Sequence, residues 1–474
     1  MRVLHVGSGL RPMRGGGIVA YVEDLMDAQV ARGDDVAYFF AGRYLPWRAR
    51  PQLRRAQRRG VRLFEVVSSP LYDHGRQPEG ELAQPELEAL FASVVREERP
   101  DVVHVHEVAG LPTSLIDVAQ RAGAPVVVTL QDYFWLCPAF KLVDAEGHAC
   151  PREVGSDCVA TMAADLRDSG LLYAATLRHQ LPRHPLIRPL PPRVRERVVE
   201  RWAQRGAGRA LARRSEAARP TGPEAARAFQ RRREVNVARL SRADRVIAMS
   251  ERVAEIHAQL GVDADRISTL PLTLAHIERL SPREPSGRPP VTFGTLAALE
   301  SVPKGARLLL DAMPMVADAA RAGRLRVLVF GAIAPEFSSA AEGIAGLELR
   351  GGYRPEELDG LLDEVDVGLM TSVWEEAYGY AGVEFLAKGI PLIANAIGGI
   401  VDYAREGETA WLNRSLTADE LARLMLHVAD RPQELAELSG RVRAARSELV
   451  KPMARHADEV DEVYREVAAV AARP

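Results

Sequence analysis

Four prolines within ten residues, Pro282, Pro285, Pro289 and Pro290, divide the chain more sharply than any other feature. Proline fixes φ and carries no backbone donor, so a segment this rich in it cannot continue a helix or sit inside a sheet. The segment 281–290 therefore reads as a linker. On both sides of it, short apolar runs alternate with segments of helical spacing. That alternation predicts an α/β fold, with two doubly wound parallel sheets, each covered by helices and facing its partner across a cleft. A chain of 474 residues is long enough to bury two cores of its own.

In the first half the expected strands run over 2–7, 36–40, 101–106, 125–130, 242–250 and 266–270, with helices over 18–32, 112–121 and 251–260. In the second half, strands are expected over 291–296, 325–330, 347–349, 365–370 and 391–394. Helices are expected over 306–319 and 355–364, on the segment before Lys388, and over 454–471. Between Met162 and Arg239 the chain changes character, with dense arginine and prolines clustered from Pro182 to Pro192. Residues 193–218 have helical spacing, with Val194, Val198, Trp202 and Leu211 as scattered apolar anchors. This reads as a mostly solvated helical insertion. The sharper alternative is a basic face that meets an anionic membrane surface or an anionic acceptor. A net charge of −2 and the lack of a recognition motif exclude a dedicated nucleic-acid binder.

Two features point to a ligand. Gly15, Gly16 and Gly17 open the first helix, where backbone N–H groups can approach a pyrophosphate closely. The stretch 371–399 follows an apolar strand and holds Glu376 and Glu384 with seven residues between them. In a parallel sheet, ligands sit at the carboxyl ends of strands. The first Glu then lies on the loop and the second near the start of the helix, so both can accept hydroxyls in one crevice.

This stretch, with its S-V-W-E-E, Y-G and A-K-G-I-P flanks, resembles the E-x7-E signature of the retaining glycosyltransferases of family 4. The resemblance covers most of the chain outside 162–239. It implies the GT-B architecture of two Rossmann-like domains: an acceptor domain over 1–280 with the helical insertion, a nucleotide-sugar domain over 291–450, and a helix over 451–474 crossing back. It implies a nucleotide diphosphosugar donor, a hydroxyl acceptor (glycan, lipid-linked or natural product), and neither cofactor nor metal. Glu376 would hold donor-sugar hydroxyls, with Ala377, Tyr378, Gly379 and Tyr380 beside it. Glu384 would hold the ribose, Tyr353 would meet the base, and Gly15 to Gly17 with Lys304 would meet the diphosphate. Gln131, in Q-D-Y-F-W-L-C-P, stands where the family has His and faces the reacting side of the sugar. Gln can donate and accept hydrogen bonds but cannot titrate. In such enzymes the leaving phosphate serves as the base, so no protein base is required. The family's diphosphate Arg is also missing, since Thr295 follows Gly294; Arg307 is a candidate substitute. These two departures favour an alternative, a catalytically silent relative that binds sugar nucleotides or supports a partner. A sugar phosphorylase or a nucleotide-sugar epimerase of the same architecture are further competitors.

No apolar run approaches the ~18–20 residues of a membrane span. The chain enters its first strand at once, which reads as no signal peptide. Cys137, Cys150 and Cys158, with His148, offer four soft ligands, but their spacing matches no compact zinc motif and no metal is expected. Three cysteines suit a reducing cytoplasm, with peripheral contact at the inner face of a membrane through the basic insertion.

Overall fold

The computed structural model describes residues 1–45, 50–72, 78–144, 146–150, 154–164, 169–215 and 222–471. Among them, eight strands form the first sheet: β1 (Arg2–Gly7), β2 (Asp35–Ala41), β3 (Gln52–Arg58), β4 (Val61–Val67), β5 (Val102–Val105), β6 (Val126–Leu130), β7 (Arg245–Ala248) and β8 (Ile267–Thr269). Their order is β3-β4-β2-β1-β5-β6-β7-β8. All neighbours are parallel except the β3–β4 pair. The Val-rich strands β5 and β6 are buried along their whole length, as a parallel sheet covered on both faces requires. The hairpin β3–β4 was not expected. Its tip, Arg59 and Gly60, has positive φ at both residues (49° and 84°), the turn that suits strand twist. The outer strand reads Q-L-R-R-A-Q-R, and its charges suit an open sheet edge.

Six further strands form the second sheet: β9 (Val291–Thr295), β10 (Leu325–Phe330), β11 (Leu347–Gly351), β12 (Val367–Met370), β13 (Leu392–Asn395) and β14 (Ala410–Asn413). Their order is β11-β10-β9-β12-β13-β14, all parallel. Strand order reverses between β1 and β5 in one sheet and between β9 and β12 in the other. Loops diverge at such switch points and leave a crevice at the strand ends. The expected α/β fold with two doubly wound sheets is the one observed. The helix expected over 306–319 is interrupted, because Pro314 has no backbone donor; Ala306–Ala312 and Ala317–Arg321 are separate pieces.

Helix α1 (Gly17–Arg32) follows β1. Helices α2 (Ser169–Gln180) and α3 (Pro192–Ser215) pair around a small core of Ala174, Leu177 and Ala203. Arg193, Arg197, Arg201 and Arg205 lie at four-residue spacing on α3, exposed and with no ion-pair partner among the described residues. Residues four apart share a helix face. The row beside them carries Val194 and Trp202, 44% and 60% exposed.

Helix α4 (Gly222–Arg242) corrects the expectation of a solvated face. Arg232 is 1% exposed; it pairs with Glu81 at 2.5 Å, donates to Phe134 O at 2.9 Å and stacks over the Phe134 ring. Arg233 donates to Leu136 O and Asn236 to Trp135 O. The polar side of α4 thus holds three successive carbonyls of the loop after β6. Helix α5 (Tyr380–Ala387) packs under the second cleft wall, and α6 (Met453–Ala471) crosses back to the first sheet. There Tyr464 OH lies 2.6 Å from His104 Nδ1, and His456 Nε2 lies 2.8 Å from Tyr21 OH.

Candidate active site

The loop after β12 carries Glu376, 7% exposed, and three donors converge on one of its oxygens. Oε2 accepts from Lys304 Nζ at 2.8 Å, Ser372 Oγ at 3.0 Å and Trp374 Nε1 at 3.1 Å. Oε1 has no hydrogen-bond partner among the described residues. The carboxylate is therefore fixed by one edge and can accept with the other. The loop itself is stitched from behind. Asn395 Nδ2 donates to Thr371 O and Ser372 O, and Gly399 N donates to Glu376 O at 2.7 Å. A Cβ at Gly398 (φ 61°) would sit 2.4 Å from Glu376 N, so this backbone approach requires glycine. Lys304 arrives from the loop after β9, whose carbonyl accepts from Thr371 Oγ1 at 3.0 Å. The loops of the two switch-point strands are thereby tied together.

Gln131 follows β6, is 6% exposed, and neither its Oε1 nor its Nε2 has a partner among the described residues. Buried polar groups are nearly always paired, so an amide open at both atoms is shaped for a ligand. Glu384, on α5, meets His276 across the cleft, with 2.7 Å between Glu384 Oε1 and His276 Nε2. Tyr353 stands beside it: burial pushes its phenol above the usual range, and the charge of Glu384 adds to this. Tyr380 is also pushed well up by burial, so both phenols stay protonated donors at neutral pH.

Gly16, Gly17, Gln131, Lys304, Tyr353, Glu376, Ala377, Tyr378, Gly379, Tyr380 and Glu384 border one cavity of about 810 Å³. Gly15 does not border it and is exposed. The reason for glycine differs from expectation at Gly17, where a Cβ would lie 2.9 Å from the ring of Tyr380 on the opposite wall. Arg307 is exposed and off the cavity, so it is no substitute cation; Arg11, Lys141 and His276 line the cavity beside Lys304. His276, Ser372 and Trp374 were not assigned from the sequence. Ser372 and Trp374 were in view as flanks of Glu376, whereas His276 carries no local signal, its partner lying 108 residues away.

Residues 16–273 match the family described as "Glycosyl transferase 4-like domain", and residues 290–431 match "Glycosyl transferases group 1". The chain belongs to the family 4-like glycosyltransferases.

Phosphatidyl-myo-inositol mannosyltransferase of Propionibacterium freudenreichii subsp. shermanii is 28% identical over 214 residues. That match covers 44% of this glycosyltransferase and 53% of the relative, so the chain spans about half the length of the curated relative it matches. Among solved structures, Anabaena HepE in complex with UDP superposes with a TM-score of 0.58 at 15% identity, covering 98% of this chain and 100% of that one. Sucrose-phosphate synthase from Thermosynechococcus elongatus gives 0.63 at 16% identity, covering 99% and 100%. These likenesses carry the fold, which is GT-B. Cys137, Cys150 and Cys158 form no disulfide with one another and border a separate pocket of about 280 Å³ with Arg233. Among the described residues, no helix is long and apolar enough to cross a membrane.

Proposed function

We propose that this family 4-like glycosyltransferase moves a sugar from a nucleotide diphosphosugar to an acceptor hydroxyl with retention of anomeric configuration. One observation carries the reading. Glu376, held by a single oxygen, shares its cavity with Gln131, buried and unpartnered at both amide atoms. A sugar ring offers hydroxyls that donate to the first and both donate to and accept from the second. The bond from anomeric carbon to leaving phosphate breaks, and the acceptor oxygen bonds to the same face. The acceptor's proton passes to a phosphate oxygen, so no titrating side chain is required, and Gln131 suffices where the family has His. Lys304 stabilises charge developing on the phosphate. Glu384 takes the ribose, Tyr353 the base, and the Gly16–Gly17 backbone the diphosphate.

The acceptor is lipid-linked in this reading, and the enzyme works at the inner face of a membrane. The support is the exposed arginine row of α3 beside Val194 and Trp202, which suits an anionic surface. The name of the mannosyltransferase relative agrees with a lipid acceptor.

The test is thermal melting against UDP, GDP and their sugars, followed by single-turnover donor consumption with wild type and Glu376→Gln. A selective rise in melting temperature and donor loss that Glu376→Gln slows by about 100-fold are expected. Binding without any donor consumption, with lipid extract added, would instead establish the silent sugar-nucleotide-binding reading.

A further inference from the structure

His276 belongs to the segment between the two sheets, and its place there is fixed from both sides. Ala275 N donates to Asp24 Oδ2 on α1 at 2.8 Å, and Leu274 and Ile277 are buried. From this anchor its Nε2 reaches Glu384 Oε1 at 2.7 Å, with both side chains mostly buried (17% and 10% exposed). A carboxylate cannot donate, so Nε2 carries the proton. Glu384 Oε2 has no partner among the described residues. The pair repeats the logic of Glu376, where donors hold one oxygen and leave the other open. Resting on the nucleotide-donor reading above, we infer that His276 is a positioning residue for the ribose. It fixes the plane of the Glu384 carboxylate so that Oε2 meets the vicinal 2′- and 3′-hydroxyls, and so enforces choice of ribonucleotides over nucleotides that lack both hydroxyls.

A carboxylate released from His276 would have to lose its own rotamer freedom on each binding event, and that cost falls on ribose recognition alone. The measurement is calorimetric affinity for UDP and GDP and for their 2′,3′-dideoxy counterparts. Wild type should prefer the ribonucleotide by at least about tenfold, since the hydroxyls bond to a charged acceptor. His276→Ala should lower that preference by about tenfold while leaving dideoxynucleotide affinity within about twofold. His276→Gln, whose amide nitrogen can take the place of Nε2, should restore most of it. His276→Asn, too short to reach Oε1, should behave as Ala and serves in its place if the Ala variant does not fold. In a Glu384→Ala background, His276→Ala should add no further loss. An unchanged ribose preference in His276→Ala or His276→Asn overturns the inference. Wild type that binds neither UDP nor GDP would overturn the donor reading itself, a separate outcome.

Discussion

Gln131 is buried with an amide that bonds nothing among the described residues, at a position the fold does not need to be polar. An unpaired buried polar group costs about 1–3 kcal/mol, and an apolar group of the same shape removes that cost. Gln131→Leu should therefore stabilise the ligand-free protein by about 1 kcal/mol, a rise of about 2 °C in melting temperature. The same variant should lose donor-sugar affinity while keeping nucleoside diphosphate affinity. A lower melting temperature would show that Gln131 has a structural partner after all. The two glutamates were legible from sequence because their spacing, flanks and position after a strand all agreed. The donors that aim them were less so. Trp374 and Ser372 touch Glu376 through side-chain geometry that a motif does not encode, and His276 meets Glu384 only once both halves have folded.

At the scale of elements, sequence periodicity located most of the buried parallel strands, because each of those is a short run of branched apolar residues. It missed β3, whose exposed polar residues have no apolar period, and also the buried strands β4 and β14, and it misread α4. Arginine density alone does not distinguish a solvated helix from one whose guanidinium groups hold loop carbonyls, as Arg232 and Arg233 do. Helix α3 is the solvated case. The four-residue spacing of its exposed arginines continues in the sequence through Arg209 and Arg213. Near an anionic surface each basic residue contributes about 1 kcal/mol. Arg193→Glu, Arg197→Glu and Arg201→Glu combined should weaken binding to phosphatidylglycerol-rich vesicles by at least about 100-fold. Binding to phosphatidylcholine vesicles should be weak throughout, and the emission of wild-type Trp202 should shift to the blue on docking. Equal sedimentation of wild type and triple variant with anionic vesicles would remove α3 as the docking element.

The whole molecule is closed by α6, which joins the last residues of the second half to the core of the first. That junction is built on buried histidines. His5 Nε2 lies 2.7 Å from Gln29 Oε1 and its Nδ1 2.9 Å from His106 Nε2, while His104 lies between Tyr464 and Thr129. Burial lowers His5 to about 4 and His456 to about 3, and holds His104 and His106 well below the ordinary imidazole value of 6.5. In the unfolded chain these groups take up protons near pH 6.5, whereas in the folded protein they stay neutral until far lower. Stability is therefore fully present above about pH 6.5 and declines as pH falls toward 4, each such histidine contributing a slope of about 1.4 kcal/mol per pH unit. Melting temperature should drop steeply between pH 6.5 and pH 4.5, with more than one proton taken up on unfolding. His456→Gln keeps a group able to bond Tyr21 but removes one titrating site, so its curve should be shallower by about one proton. A curve flat over that range in wild type would mean that these histidines do not stay neutral on folding.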